Sequence, residues 1–373
     1  MKIAIVSNST WNIQHFRLPV VQALKSAGHE IVLIAPVDET LSALSADPSL
    51  LFFPLKNLKR DSLNLFFNLS LFFEFLRVYR NSRPDLVLHF TIKPNIFGNI
   101  AAFFLKIPSI CVVTGLGYSY LHKGILQWAT NALYRFSFSF TRKVVFENED
   151  DRQLFIDKKL VNAQKSGTVN GCGVDLTYFS ANGIRPSKEK MVFTFVGRLL
   201  IDKGINEFVE AADLAKKQCP NAEFWVLGGL DSGNPAHINS SELSEWVSKG
   251  VVRYLGHAED VRPILARSHY VVLPSYREGL SRVLLESLAM GRPVITTDTA
   301  GCRQTVEEGK NGFLVPVKNS AALAEAFVKC YKIDFETNRI LGENGRKKAE
   351  NEYGTHQIGQ FYRNLAEEIL NVK

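Results

Sequence analysis

The sequence predicts an α/β protein built from two doubly wound domains. Three observations support this. The chain has 373 residues, and a single hydrophobic core stops growing at roughly 250–300 residues. Short apolar runs alternate with helical patterns through both halves, the rhythm of parallel strands covered by helices on both faces. That rhythm restarts after the polar stretch Ser187–Lys190, which follows Pro186.

The elements follow in order. Lys2–Val6 reads as a buried strand, Arg17–Ala27 as a helix and Glu30–Ala35 as a second strand. Leu86–His89, Ser109–Val113, Lys143–Phe146 and Ser166–Val169 are later strands of the first half. Met191–Val196 then opens a second series, with a helix over Ile205–Gln218 and strands at Glu223–Leu227, Val251–Tyr254 and Tyr270–Leu273. A short helix covers Ile264–Arg267, a longer one Ser281–Met290, and a strand follows at Pro293–Thr296. Thr355–Leu370 is helical in pattern, with Ile358, Phe361, Tyr362, Leu365 and Ile369 recurring on one side. These periods place the domains at 1–180 and 181–352, with 353–373 as a tail. Ligands of open parallel sheets bind outside the carboxyl ends of the strands, so a cleft between two such domains is the expected site.

Composition narrows the function. A hydrophobic content of 46% excludes a disordered chain. The net charge of +7 suits phosphorylated ligands or an anionic membrane surface, and no nucleic-acid motif accompanies it. Cys111, Cys172, Cys219, Cys302 and Cys330 show neither CxxC spacing nor a metal-type His pair, which points to a reducing compartment without a disulfide framework or bound metal. The start of the chain runs into a strand instead of a signal peptide, and no apolar run is long enough for a transmembrane helix. The expectation is a cytosolic protein that touches a membrane surface.

Asp61–Tyr79 is unusually apolar for one core-facing helix. On a helical wheel Leu65, Phe66, Leu69, Phe72, Phe73 and Leu76 share a broad face, while Phe67, Leu71 and Val78 fall among polar residues opposite. Lys56, Lys59 and Arg60 precede it, and Arg77, Arg80 and Arg83 end or follow it. Such a helix suits an anionic bilayer surface. The alternative is a helix buried between the sheet and a neighbour.

Two loops hold the candidate chemistry. In the first, Arg277-Glu278-Gly279-Leu280-Ser281-Arg282-Val283-Leu284-Leu285-Glu286, a strand gives way to a helix start, whose free N–H groups and dipole favour phosphate. A carboxylate accepts hydrogen bonds from vicinal hydroxyls, so Glu278 or Glu286 suits a sugar ring or a ribose. The second, Gly197-Arg198-Leu199-Leu200-Ile201-Asp202-Lys203-Gly204, also joins a strand to a helix. Arg198 and Lys203 can neutralise a diphosphate without metal. Taken separately, each loop also reads as ordinary solvated surface.

Together the loops resemble glycosyltransferase family 4, retaining enzymes of the GT-B class with two Rossmann-like domains facing a cleft. VGRLLIDKG resembles the family's Gly-Arg…Lys-Gly segment, and EGLSRVLLE its pair of glutamates. NGFLVP (Asn311–Pro316) and NGCGVDLTYFS (Asn170–Ser180) resemble two further family segments. The resemblance implies that Arg198 and Lys203 hold the donor diphosphate and that Glu286 binds ribose. It implies that Glu278 contacts the transferred sugar, and that backbone groups from Leu280 through Ser281 and Arg282 to Val283 take the distal phosphate. Gly197 belongs to the same donor loop, and His257 lies where the nucleobase sits. It also implies that the tail helix crosses back onto the first domain.

In the first half, His89–Asn95 and Thr114–Tyr118 resemble a subgroup that builds bacterial saccharides on polyprenyl-diphosphate carriers, often from UDP-linked N-acetylhexosamines. His89 is the expected catalytic-domain sugar contact, although the family's His-x-His pattern reads His89-Phe90-Thr91. The expected acceptor site comprises Asn8, Ser9, His15, Arg17, Lys93, Gly115, Gly117 and Tyr118, although the usual Gly-Gly loop is Ser7-Asn8-Ser9-Thr10. The function expected is transfer of a sugar from a UDP-sugar to a polyprenyl-diphosphate-linked saccharide, with no cofactor. The alternatives are a UDP-sugar epimerase of the same fold and a non-catalytic lipid-binding protein.

Overall fold

The computed structural model describes residues 1–59, 65–117, 120, 124–181 and 186–371. They form two compact units, Met1–Gly173 with Thr355–Lys373, and Val174–Gly354. The division falls at Val174, seven residues before the position read from the sequence. Val174 donates its N–H to Tyr353 O at 2.8 Å, and Val174 and Phe179 are buried in the second unit's core.

The first unit is a seven-stranded parallel sheet in the order β3-β2-β1-β4-β5-β6-β7. In chain order it comprises β1 (Lys2–Val6), α1 (Thr10–Asn12), α2 (Leu18–Ser26), β2 (Glu30–Ala35), α3 (Leu41–Ser45), β3 (Leu50–Pro54) and α4 (Leu65–Ser82). Then come β4 (Leu86–Phe90), α5 (Asn99–Phe104), β5 (Ser109–Val113), α6 (Ile125–Phe138), β6 (Lys143–Phe146), α7 (Glu149–Asp157) and β7 (Ser166–Thr168). Central strands are buried on both faces, so their sequences are continuous apolar runs. Successive side chains point to opposite faces. Ile3, Ile5, Ile31 and Leu33 therefore pack under α2, while Ala4, Val6, Val32 and Ile34 pack under α4 and α5.

Within α4 the buried stripe is Leu71, Phe75, Val78 and Tyr79. This corrects the wheel reading, which put Leu71 and Val78 on the polar side. The apolar residues exceed what one face can bury, and Leu71, Phe75, Val78 and Tyr79 are the ones that pack against the sheet. Leu69 and Phe73 are left exposed. Residues 60–64 of the predicted basic flank and helix start lie outside the described residues.

The second unit is a six-stranded parallel sheet in the order β10-β9-β8-β11-β12-β13. Its elements are β8 (Met191–Val196), α8 (Ile205–Lys216), β9 (Ala222–Leu227), α9 (Ser240–Ser248), β10 (Arg253–Tyr254), α10 (Arg262–Leu265), β11 (Tyr270–Leu273) and α11 (Arg282–Ala289). They continue with β12 (Val294–Thr297), β13 (Gly312–Val315), α12 (Ser320–Tyr331) and α13 (Phe335–Glu352). Both sheets reverse their direction of winding beside their first strand, between β1 and β4 and between β8 and β11. Ligands of open α/β sheets bind at such points.

The final helix, α14 (Thr355–Asn371), lies along α2 of the first unit. Ile358, Tyr362, Leu365, Ala366 and Leu370 enter that unit's core. Tyr362 sits 5.9 Å from the Phe90 ring, and the Arg17 guanidinium lies 4.4 Å from the same ring. Arg17 donates to Glu147 at 3.2 Å, with side-chain exposures of 3% and 6%. Burial pushes the Glu147 carboxyl up, and the Arg17 charge opposes that shift.

A buried pair is vulnerable to loss of one partner, because the other charge is left uncompensated. Glu147→Leu alone should therefore lower stability by about 3–5 kcal/mol. Adding Arg17→Met should recover most of that loss. Urea unfolding of both variants checks this.

Candidate active site

The loops after β8 and β11 flank the second unit's winding reversal. Between β8 and α8, residues Ile201–Lys203 form a tight turn ending at Gly204, whose φ is +77°. A Cβ at Gly204 would lie 2.1 Å from Pro274 O. Glycine thus lets the two loops touch backbone to backbone. Asp202 O accepts N–H of Tyr276 at 2.9 Å and Oγ–H of Ser275 at 3.1 Å, which fixes their register.

This contact brings Lys203 and Glu278 together, with Nζ 2.5 Å from Oε1. Both are largely shielded from solvent. Asp202 feels the charges of Lys203, Glu278 and Arg198, and partial burial holds its carboxyl above the ordinary range. Arg198 lies closer to solvent and donates to Asp231 Oδ2 at 2.7 Å. Asp231 comes from the loop after β9, the strand beside β8. Gly197, between β8 and Arg198, donates its N–H to Leu227 O at 3.0 Å, which joins these two strand ends.

Glu278 is held from its other side as well. Its N–H donates to Ala300 O at 3.1 Å, and Ser281 N–H donates to Gly301 O at 3.3 Å. A Cβ at Gly301 would meet Gly279 O at 2.4 Å and Glu278 O at 2.5 Å, so the loop after β12 supports this turn directly. The Ser281 N–H thus meets a backbone carbonyl of the neighbouring loop. The Ser281 side chain makes no capping bond to α11. Leu280 and Ser281 are buried, and Arg282 and Val283 are half-buried at the first turn.

Glu286 is buried on α11, with Oε1 2.5 Å from Arg282 Nε. Burial pushes its carboxyl up, and Arg282 opposes the shift. His257 is exposed in the loop after β10, beside Gly229. Tyr254 O–H donates to Gly228 O at 3.0 Å, which ties the end of β10 to the same rim.

The first unit departs further from expectation. His89 is fully buried. Its Nε2 lies 2.8 Å from Tyr79 O–H, and a Cβ on Gly98 would strike both side chains at about 2.9 Å. Burial lowers the imidazole pKa to about 3. His89 is thus a neutral core group, which corrects its expected contact with sugar. Arg17 likewise lies in the core, paired with Glu147 and over the Phe90 ring. Ser9 Oγ accepts Asn12 N–H at 3.0 Å, so it caps α1.

The other expected acceptor residues remain near the carboxyl ends of β1, β4 and β5. Asn8 is half-buried, and His15 is exposed and stacked on Trp11 at 4.4 Å. Lys93 Nζ donates to Lys59 O at 2.5 Å. Gly115 and Gly117 lie in the loop after β5, and Gly117 stands beside Ile92. Tyr118 lies outside the described residues. Two wide helical turns, Ile13–Arg17 and Pro94–Gly98, follow β1 and β4. Such turns concentrate at functional sites.

Asp231, Asp202 and the bond from Tyr276 O–H to Glu207 at 2.7 Å were missed in the sequence. Asp202 lies inside a motif already singled out, so its position was available. Asp231 stands 33 residues from its partner and has no local signal.

The electrostatics of Glu286 generate a test. A carboxyl whose folded-state pKa is raised loses stability as pH climbs above its ordinary 4.5, because the unfolded chain ionises first. Glu286→Gln removes that penalty. The variant should be more stable than the parent at pH 7 by about 0.5–2 kcal/mol, with the gain vanishing at acid pH. Thermal melts across pH check the sign.

Comparison with known proteins bears on the family and the fold. Residues 190–332 match the family described as glycosyl transferases group 1, and residues 2–148 match the glycosyl transferase 4-like family. The N,N'-diacetylbacillosaminyl-diphospho-undecaprenol alpha-1,3-N-acetylgalactosaminyltransferase of Campylobacter jejuni is 29% identical, and the alignment covers 99% of each chain. The UDP-Gal:alpha-D-GlcNAc-diphosphoundecaprenol alpha-1,3-galactosyltransferase of Escherichia coli is 26% identical over 80% of this chain and 82% of that protein. A glycosyltransferase from Rickettsia africae superposes with a TM-score of 0.79 at 17% identity, covering 99% of this chain and 98% of that one. HepE of Anabaena, solved with UDP, gives 0.77 at 19% identity over 99% of each chain. The superpositions establish the GT-B fold, and the two family matches span most of both units. The chain belongs to the group 1, family-4-like glycosyltransferases and is a hexosyltransferase.

Proposed function

We propose that this glycosyltransferase moves an N-acetylhexosamine from a UDP-sugar onto a polyprenyl-diphosphate-linked saccharide in bacterial glycan assembly, with retained anomeric configuration. The observation that carries the donor half is the meeting of Lys203 and Glu278 at the winding reversal of the second sheet. The acceptor class rests on the full-length similarity to the Campylobacter enzyme, whose name specifies a diphospho-undecaprenol acceptor.

In this reading the donor diphosphate takes Arg198 and Lys203 away from Asp231 and Glu278. Glu278 is then released to accept hydrogen bonds from the transferred sugar. Glu286 binds the ribose hydroxyls, the start of α11 faces the distal phosphate, and His257 lies beside the base. Two cations and a helix start supply the charge stabilisation, so no metal is required. The acceptor hydroxyl oxygen bonds to the anomeric carbon as the bond from that carbon to the diphosphate oxygen breaks. The hydroxyl proton passes to the departing phosphate oxygen on the same face, and UDP leaves. Glu278 orients the sugar and does not attack it. Asn8, His15, Lys93, Gly115 and Gly117 line the proposed approach of the acceptor. The apolar segment 61–79, flanked by Lys56, Lys59, Arg60, Arg80 and Arg83, contacts the anionic inner face of the plasma membrane. Among the described residues no helix is long and apolar enough to cross a membrane.

Purified protein is screened against UDP-, GDP- and ADP-sugars, and then assayed for transfer to a polyprenyl-diphosphate sugar. Transfer from a UDP-N-acetylhexosamine is expected. Glu278→Gln should lower kcat/KM by about 10²–10³-fold, the scale of losing one well-placed electrostatic group. Parental activity in that variant would remove Glu278 from the site. Interconversion of UDP-N-acetylglucosamine without acceptor would identify an epimerase, and failure to bind any nucleotide would identify a non-catalytic protein.

A further inference from the structure

Six aromatic rings form an unbroken string across three helices of the first unit. Phe73 and Phe72 on α4 lie 5.4 Å apart, and Phe72 is 5.8 Å from Phe104 on α5. Phe104 is 6.0 Å from Phe103, which stacks on Phe140 at 4.1 Å. Phe140 is 5.0 Å from Phe136 on α6. Four of these rings face solvent, with exposures of 59% at Phe73, 48% at Phe103, 64% at Phe104 and 56% at Phe136. Large exposed rings in contact with one another form a patch, and such a patch marks an interaction surface. In the second unit the aromatic contacts among Phe193, Phe208, Phe224 and Phe327 lie in the core.

Apart from Glu74 and Asp85, the charges on and just after these helices are basic. Arg77, Arg80, Lys106, Arg135 and Arg142 are all exposed on α4, on α6 or just after α5 and α6. Glu74 is the acidic residue of the three helices, and its carboxylate accepts the N–H groups of Lys56 at 2.7 Å and Asn57 at 2.9 Å. Aromatic area interspersed with cations is complementary to a bilayer interface, where rings enter the headgroup region and basic groups meet anionic lipid.

We propose that the string from Phe73 to Phe136 is a docking surface for anionic lipid bilayers, formed jointly by α4, α5 and α6. It extends the membrane contact assigned above to 61–79 and rests on that reading. The single-helix contact becomes one edge of a wider surface. Two helices that carried no membrane signal in the sequence supply most of its exposed rings.

The test uses the full chain, with vesicles of phosphatidylcholine with or without phosphatidylglycerol. The parent should float with phosphatidylglycerol vesicles and bind pure phosphatidylcholine about tenfold less. The double variant F104S/F136S should bind anionic vesicles at least about tenfold less, and R135E/R142E should lose most of the lipid preference. UDP-induced thermal shifts should match the parent in all variants, which confirms their fold. Parental flotation of both variants would overturn the proposal. So would a parent dimer that F104S/F136S dissociates, because a second copy would then cover the patch. Flotation without sugar transfer would leave the surface standing and reject the proposed reaction. Transfer to a short-chain soluble acceptor without flotation would reject the surface alone.

Discussion

Backbone packed against backbone at the carboxyl edge of the second sheet constrains everything around it. Gly204 touches the Pro274 carbonyl, and Gly301 touches the carbonyls of Glu278 and Gly279. Main-chain bonds from Tyr276 to Asp202 and from Glu278 to Ala300 close the same junction. Buried peptide groups must find partners, and here they find one another across three loops. The loops bearing Lys203 and Glu278 therefore have little freedom to separate. Preorganisation of this kind lets a site meet developing charge without first rearranging.

The charges at that junction are balanced in pairs. Lys203 with Glu278 and Arg198 with Asp231 each hold a cation beside a carboxylate. Asp202 lies within reach of both cations and is held above the ordinary range by burial. A ligand with two phosphates offers stronger, multidentate partners to the same cations. In the proposed reaction, exchanging partners frees Glu278 at the moment a sugar arrives beside it. Glu286 follows the same logic on α11, where burial disfavours its ionised form unless hydrogen-bond donors meet it.

Much of this was legible in the sequence, and the exceptions have physical causes. Strands buried on both faces, such as Lys2–Val6 and Tyr270–Leu273, announce themselves as apolar runs. The meeting of the two loops was legible because each packs its key residues into one strand-to-helix turn, and Lys203 reaches Glu278. Asp231 was invisible because its pairing with Arg198 depends on strand order, which no local pattern encodes. His89 read as a site residue because it ends a strand beside a loop, yet Gly98 and Tyr79 seal it in the core. Arg17 misled in the same way, since a lone basic residue after a first strand gives no hint of a partner 130 residues away. In α4 the apolar residues outnumbered one face, so composition could not choose the buried stripe.

The first unit joins an interior closed by ionic and aromatic contacts to an exterior that leaves rings in solvent. α14 returns from the end of the chain to complete that interior over α2. The account's central claim concerns the second unit and is tested most directly by a crystal structure with UDP bound. The claim predicts the diphosphate on Arg198 and Lys203, with the bonds to Asp231 and Glu278 broken and the ribose on Glu286. A nucleotide bound elsewhere, with both ion pairs intact, would contradict it.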